Sequence, residues 1–197
     1  GSNISITGNK VTNSGHGVMM YLAGGTANVI SDNDIDFVTH DGINANSVNN
    51  LTISKNDIGL INNANRDGIY VTGGSNLTIG GIDTTFANTV NGSGDDGIDV
   101  ENVGGTVKIA YNKIDGTGLA SDQNGIEVSG TTGAVIDHNN VKNAGWDGIN
   151  VQNSTGAQVT WNIVDGTKGA SGIGAVNGVN GLFVDNNTVT NSKQYGM

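Results

Sequence analysis

The chain has no cysteine and no proline. Without cysteine there is no disulfide framework and no thiolate metal site, a composition compatible with secretion. Without proline every residue keeps a backbone N–H, which suits central strands that all donate to a ladder. Aromatic residues are scarce at 5%. Basic residues are scarcer: eight Lys and Arg stand against 18 Asp and Glu, for a net charge of -10. The basic residues are scattered at Lys10, Lys55, Arg66, Lys108, Lys113, Lys142, Lys168 and Lys193. With no basic patch, nucleic acid is not an expected partner, and a bare polyanionic sugar would be repelled. No apolar run reaches the ~18 residues of a membrane-spanning helix, so no membrane insertion is expected.

What the chain has in excess is glycine, 33 of 197 residues. A small acidic or polar residue, then Gly, then an apolar residue recurs at Gly17, Gly42, Gly68, Gly97, Gly125, Gly148, Gly172 and Gly196. The intervals are 25, 26, 29, 28, 23, 24 and 24 residues, a period that marks stacked repeats. A second pattern keeps step with it: Ile6/Asn9/Val11, Ile30/Asn33/Ile35, Ile53/Asn56/Ile58, Ile109/Asn112/Ile114, Ile136/Asn139/Val141, Val159/Asn162/Val164 and Val184/Asn187/Val189. One repeat breaks it, since Leu77-Thr-Ile79-Gly-Gly-Ile82 has no Asn at the matching place.

After each glycine the period is two, as in Gly97-Ile98-Asp99-Val100 and Gly125-Ile126-Glu127-Val128. Strict alternation over a short window predicts half-buried strands, and the Gly, Asn, Asp and Ser clusters between them are turn chemistry. Each repeat is then two or three short strands that bury their apolar face only by stacking on neighbours. The recurrent Asn suits a bend, because Asn tolerates left-handed backbone angles, and stacked Asn side chains are expected to bond from coil to coil. The residues at one and three after each glycine are expected to point inward, and those at two and four outward. One outward row is Met19, Asn44, Tyr70, Asp99, Glu127, Asn150 and Gly174. Beside it runs Tyr21, Asn46, Thr72, Glu101, Ser129, Gln152 and Val176, with Gly15, His40, Arg66, Asp95, Gln123, Trp146 and Ala170 on the turn edge.

Both ladders resemble the right-handed parallel β-helix repeats of the pectate-lyase-like superfamily. The stretch Leu77 to Val100, with Ile79-Gly-Gly-Ile82, Ala87-Asn-Thr-Val90 and Asp95-Asp-Gly-Ile98, is similar to a variant found in large bacterial surface proteins. The resemblance implies an all-β fold, a right-handed single-stranded parallel β-helix of about seven to eight coils spanning residues 3–197. Gly1-Ser2 reads as a tag scar, and the rest as an excerpt of a longer repeat protein. The superfamily holds hydrolases, lyases, epimerases, tailspikes and non-catalytic surface segments, so fold alone does not select a function.

The outward rows are richest in chemistry at the central coils. Asp95, Asp99, Glu101 and Glu127 are carboxylates on neighbouring coils, with Arg66, Tyr70 and His40 one or two coils away. Such carboxylates raise one another's pKa or bind a cation, and two of them would serve as acid and base in glycoside cleavage. Asp95, Asp99, Glu127 and Arg66 are the catalytic candidates. The candidate binding face is Tyr70, Asp95, Asp99, Glu101, Glu127, Trp146 and Asn150, with Tyr70 and Trp146 as sugar-stacking rings.

Comparison with catalytic motifs of the superfamily is negative. Asp95-Asp96-Gly97 resembles one step of the polygalacturonase pattern, but Gly15-His16-Gly17 lies on the wrong side of it and no Arg-Ile-Lys occurs. The Asp-Pro-His-Glu motif of alginate-type epimerases requires a proline this chain lacks. A lyase needs a basic group near its substrate, and only Arg66 is near the acidic patch. His16, His40 and His138 are not spaced as a metal cluster, and His138 reads as a turn residue. Asp41, Asp67, Asp96 and Asp147, each before a ladder glycine, read as turn formers bonded to their own backbone.

The expected function is therefore a non-catalytic β-helical segment of a large extracellular or cell-surface bacterial protein. It would act as a stiff spacer, adhesin or glycan-contacting surface. A polysaccharide hydrolase or lyase acting on the acidic face is the alternative, and a self-associating repeat that stacks end to end is a third. No cofactor is required on this reading. Ca²⁺ is left open, and glycans are the expected partners.

Overall fold

A computed structural model describes residues 3–61, 63, 65–118 and 123–197; the tag-scar residues Gly1 and Ser2 lie outside them. The described chain winds through three parallel sheets, of eight, eight and seven strands, in which each strand pairs with its counterpart one coil away. This is the expected parallel β-helix, and of the two or three strands expected per coil the structure has three. One 3-10 turn, Thr84–Phe86, interrupts the pattern, with the Asp83 side chain accepting from the Thr85 N–H.

Alternation becomes a core because each sheet contributes an unbroken inward column. Ile43, Ile69, Ile98, Ile126 and Ile149 stack in register, as do Ile53, Ile79, Ile109 and Ile136 and Ile58, Val90, Ile114 and Val141. These side chains are fully buried, and each such burial contributes about 1.5–3 kcal/mol. The two outward rows also pair as expected: Asp99 lies opposite Tyr70 and Glu127, and Glu127 opposite Asn150.

The ladder glycines are required by space. A Cβ on Gly97 would stand 2.4 Å from Ile114 Cγ2 and 2.5 Å from the carbonyl oxygen of Gly125, the next glycine in the column. That carbonyl already accepts the Ile98 N–H, so it has no freedom to retreat.

The asparagine column differs from expectation in two respects. First, it does not break. Asn88 occupies the place the sequence left vacant: its Oδ1 accepts Asn56 Nδ2 at 2.9 Å, and its Nδ2 donates to Asn112 Oδ1 at 2.9 Å. The residues after Ile79, including the 3-10 turn, loop out and return the chain to register. Second, the left-handed bend is one residue earlier than expected. Positive φ falls on Asp32, Lys55, Tyr111, His138, Trp161 and Asn186, each immediately before a column Asn. The column Asn instead closes the bend by bonding two coils. Asn112, for example, donates to Ile79 O at 3.0 Å and Asn139 Oδ1 at 3.0 Å. His138 is thus a turn residue, and its ring stacks between Tyr111 and Trp161 at 4.8 and 5.9 Å.

Candidate functional site

The chemistry gathers on the seven-stranded sheet, beside the turn that leads into it. The four turn aspartates do not bond to their own backbone as expected. Each reaches the following coil: Asp41 Oδ1 accepts the Asp67 N–H at 3.4 Å, and Asp67 Oδ1 the Asp96 N–H at 3.0 Å. Asp96 Oδ1 accepts from Asn124, whose Oδ1 accepts the Asp147 N–H at 3.1 Å. Asp147 Oδ1 then accepts the Ser171 N–H at 2.6 Å. The turns thus carry a second side-chain column parallel to the Asn column, in which Asn124 replaces one carboxylate.

This column forms one wall of a cavity of about 450 Å³ lined by Asn65, Asp67, Asp95, Asp96, Asp99, Gln123, Glu127, Asn150, Gln152, Val176 and Asn177. Asp99, Glu127 and Asn150 of the outward row belong to its lining, and the row is largely buried. Asn44, Asp99 and Asn150 are only 8%, 9% and 7% exposed. Asn44 donates to the turn residue Asp41 through Oδ2 at 2.6 Å, and Asn150 to Glu127 Oε2 at 3.1 Å.

Crowded carboxylates in poor contact with water hold their protons. Burial, then Asp95 and Asp41, push Asp67 up to about 8. Burial, then Asp67, Glu101 and Glu127, push Asp99 up to about 9. Asp96 is raised well above its usual value by burial and by Asp67 and Asp99. Glu127 is differently placed, because it accepts from Asn124 Nδ2 at 2.7 Å, from Asn150 Nδ2 at 3.1 Å and from Gln152 Nε2. Carboxylate oxygens of Asp96, Asp99 and Glu127 lie within 4.8 Å of one another.

Of the residues singled out from sequence, Asp95, Asp99, Glu127 and Asn150 meet in this groove. Arg66, Tyr70, Glu101 and Trp146 are not among its lining. The Tyr70 hydroxyl donates to Glu101 Oε2 at 2.9 Å, and burial with that bond pushes Tyr70 up to about 12. Trp146 packs its indole over Gly169, where a Cβ would lie 2.2 Å from Cε3. Arg66 reaches Asp41 at 4.0 Å. His16 and His40, unrelated by spacing, come together with ring centroids 4.7 Å apart, and His16 Nδ1 lies 3.7 Å from Asp41 Oδ2. Burial is the main cause that lowers the His16 pKa, opposed by Asp41. Asp67 and Asp96 were missed as groove residues. Their signal was present, since both precede a ladder glycine and so recur in one column.

Residues 59–197 match the family model described as the right-handed beta helix region. Two solved structures share the fold across 99% of this chain, both A-modules of mannuronan C-5 epimerases from Azotobacter vinelandii. AlgE4 matches with a TM-score of 0.79 at 14% identity and is covered over 56% of its chain. AlgE6 matches with 0.68 at 16% and is covered over 58%. The chain thus spans a little over half the length of these structures. A search among curated proteins gives no match.

Proposed function

The chain belongs to the right-handed beta helix region family, and from that premise we propose that it is a stiff extracellular module that contacts carbohydrate along the groove of its seven-stranded sheet. The observation that carries this reading is the lining itself. Asp95, Glu127, Asn150 and Gln152 present carboxylate and amide groups on consecutive coils of one open groove. Such groups, ~4.8 Å apart along the axis, suit the repeated hydroxyls of a glycan. The names of the two structural neighbours, which give mannuronan as what they act on, favour polysaccharide as the ligand class. Binding of a panel of neutral and anionic oligosaccharides, measured by calorimetry, tests the reading. Asn150→Ala is expected to weaken the best ligand about tenfold, the upper end of what one hydrogen bond contributes. Absence of binding across the panel, or an Asn150→Ala variant that binds equally well, overturns it.

A polysaccharide hydrolase or lyase is the second reading. It is favoured by one observation, the approach of Asp99 and Glu127 carboxylate oxygens within the same open groove, since acid–base cleavage of a glycosidic bond needs two carboxyl groups. The epimerase reaction itself is not proposed, because the chain lacks an Asp-Pro-His-Glu motif. Release of reducing ends or unsaturated products that Asp99→Asn abolishes would support an enzyme. No product from any panel member would leave the binding module.

A further inference from the structure

We infer that the eight-stranded sheet carrying Lys113 and Asn140 holds a second carbohydrate site, for a neutral sugar, in a cleft beside the stacked rings of Tyr111, His138 and Trp161. The cleft has a volume of about 240 Å³. It lies on a different sheet from the groove and shares no lining residue with it. Tyr111, His138 and Trp161 each stand at a left-handed bend, two residues before the strands Lys113–Asp115, Asn140–Lys142 and Ile163–Asp165. Coil-to-coil pairing sets Lys113, Asn140 and Ile163 side by side. A row of rings and a row of these three side chains therefore run together along the cleft.

Three features point to a ligand. The first is apolar surface left in water, which is costly. Trp161 is 54% exposed. Its plane is within 15° of the His138 ring, but their centroids are 5.9 Å apart, beyond the ~3.5–4.0 Å of carbon–carbon contact, so the imidazole leaves indole surface free. The next coil supplies no ring to cover it, because Asn186 stands in that place and its amide donates to Asp185 at 2.6 Å. The second feature is Lys113, which is exposed and forms no ion pair among the described residues. Its register neighbours, Thr89 and Asn140, are uncharged. The third is Asn140 Oδ1, a buried acceptor with no hydrogen-bond partner among the described residues, which is a costly state. The terminal torsion of Asn is broad, so a turn of the amide brings Oδ1 to the cleft that Asn140 lines.

An unpaired donor beside an unmet acceptor selects the ligand. A carboxylate or phosphate would meet Lys113 but set a second acceptor against Oδ1. A hydroxyl serves both, accepting from Nζ and donating to Oδ1. A pyranose carries such hydroxyls around a C–H face that suits the amphipathic indole. The net charge of -10 also favours an uncharged ligand over a polyanion. The proposal rests on the carbohydrate reading above for its ligand class alone.

Trp146 and Trp161 are the two tryptophans of the chain, so Trp146→Phe leaves Trp161 as the sole indole reporter. Titrating that variant with the oligosaccharide panel should give a saturable change in indole emission, at lower concentration for neutral than for anionic members. Lys113→Ala in the same background should weaken the response about tenfold, the lower end for a hydrogen bond to a charged group. Lys168→Ala, at an exposed lysine outside the cleft, makes the same charge change and should have no effect. In a chain that keeps both tryptophans, calorimetry should find two sites, one weakened by Lys113→Ala and the other by Asn150→Ala. No emission change across the panel overturns the proposal, as does a response that Lys113→Ala leaves intact or that favours anionic sugars. A remaining site sensitive to Asn150→Ala would then leave the groove reading standing alone. An emission response with no site sensitive to Asn150→Ala overturns the groove reading and leaves this one.

Discussion

Asn56 and Asn88 stand 32 residues apart in sequence yet share two hydrogen bonds, from Asn56 N and Nδ2 to Asn88 Oδ1 at 3.0 and 2.9 Å. Every other step of the column spans 23 to 27 residues. The pair therefore carries the coil-to-coil register past an insertion, which lies between groove residues Asp67 and Asp95 in sequence.

Asn88→Ala is expected to cost about 3 kcal/mol or more, because it orphans buried groups on Asn56, Ile53 and Asn112 at ~1–3 kcal/mol each. Asn9→Ala, at the exposed end of the column, should cost about 1 kcal/mol. Urea unfolding of both variants checks the contrast, and equal costs would show that the column is not a buried network.

Gly97→Ala should destabilise by about 3 kcal/mol or prevent folding, since the new methyl meets Ile114 and the Gly125 carbonyl. Gly196→Ala belongs to the same sequence ladder but has nothing within 4 Å of the added carbon. Its effect should stay within about 0.5 kcal/mol, as thermal melts of the two variants would register.

Tyr70, pushed up to about 12, should ionise last among the four tyrosines in a spectroscopic titration. Burial is the main cause and Glu101 the second, so Glu101→Gln should bring the late phase down in pH without merging it with the rest. A titration in which Tyr70→Phe removes an early phase would contradict the assignment.

The protein should lose stability as pH rises. Asp67 and Asp99 are raised from 3.8 to about 8 and about 9, so between those limits the folded state binds protons that the unfolded chain has released. Stability is then full below the unfolded value and falls toward the folded one. Raising the pH from about 5 to about 8 should lower stability throughout that range, as urea unfolding at a series of pH values would register. Asp99→Asn should flatten the slope, and a rising slope in unaltered protein would refute the buried-neutral assignment.

The order of the outward rows was legible from sequence, because a period of two after each glycine assigns every side chain to a face and the glycines align the coils. Asp99, Glu127 and Asn150 therefore emerged as neighbours before any coordinate was known. Asn88 did not, since nine residues separate it from Ile79 where the other repeats have three, and only closure of the loop returns it to the column. The pairing of His16 with His40 was equally hidden, since neither belongs to a repeated position shared by the other.

Composition and periodicity by themselves determined the solenoid and the faces of its strands, because these follow from alternation repeated at nearly constant length; that each coil has three strands came from the structure. Tertiary structure alone decided which outward residues are wet. Asp99 and Asn150 stand at outward positions yet are buried. That burial converts a polar strip into a groove with buried carboxylates. Burial and charge proximity depend on distances between coils, and those are set by packing rather than by order along the chain.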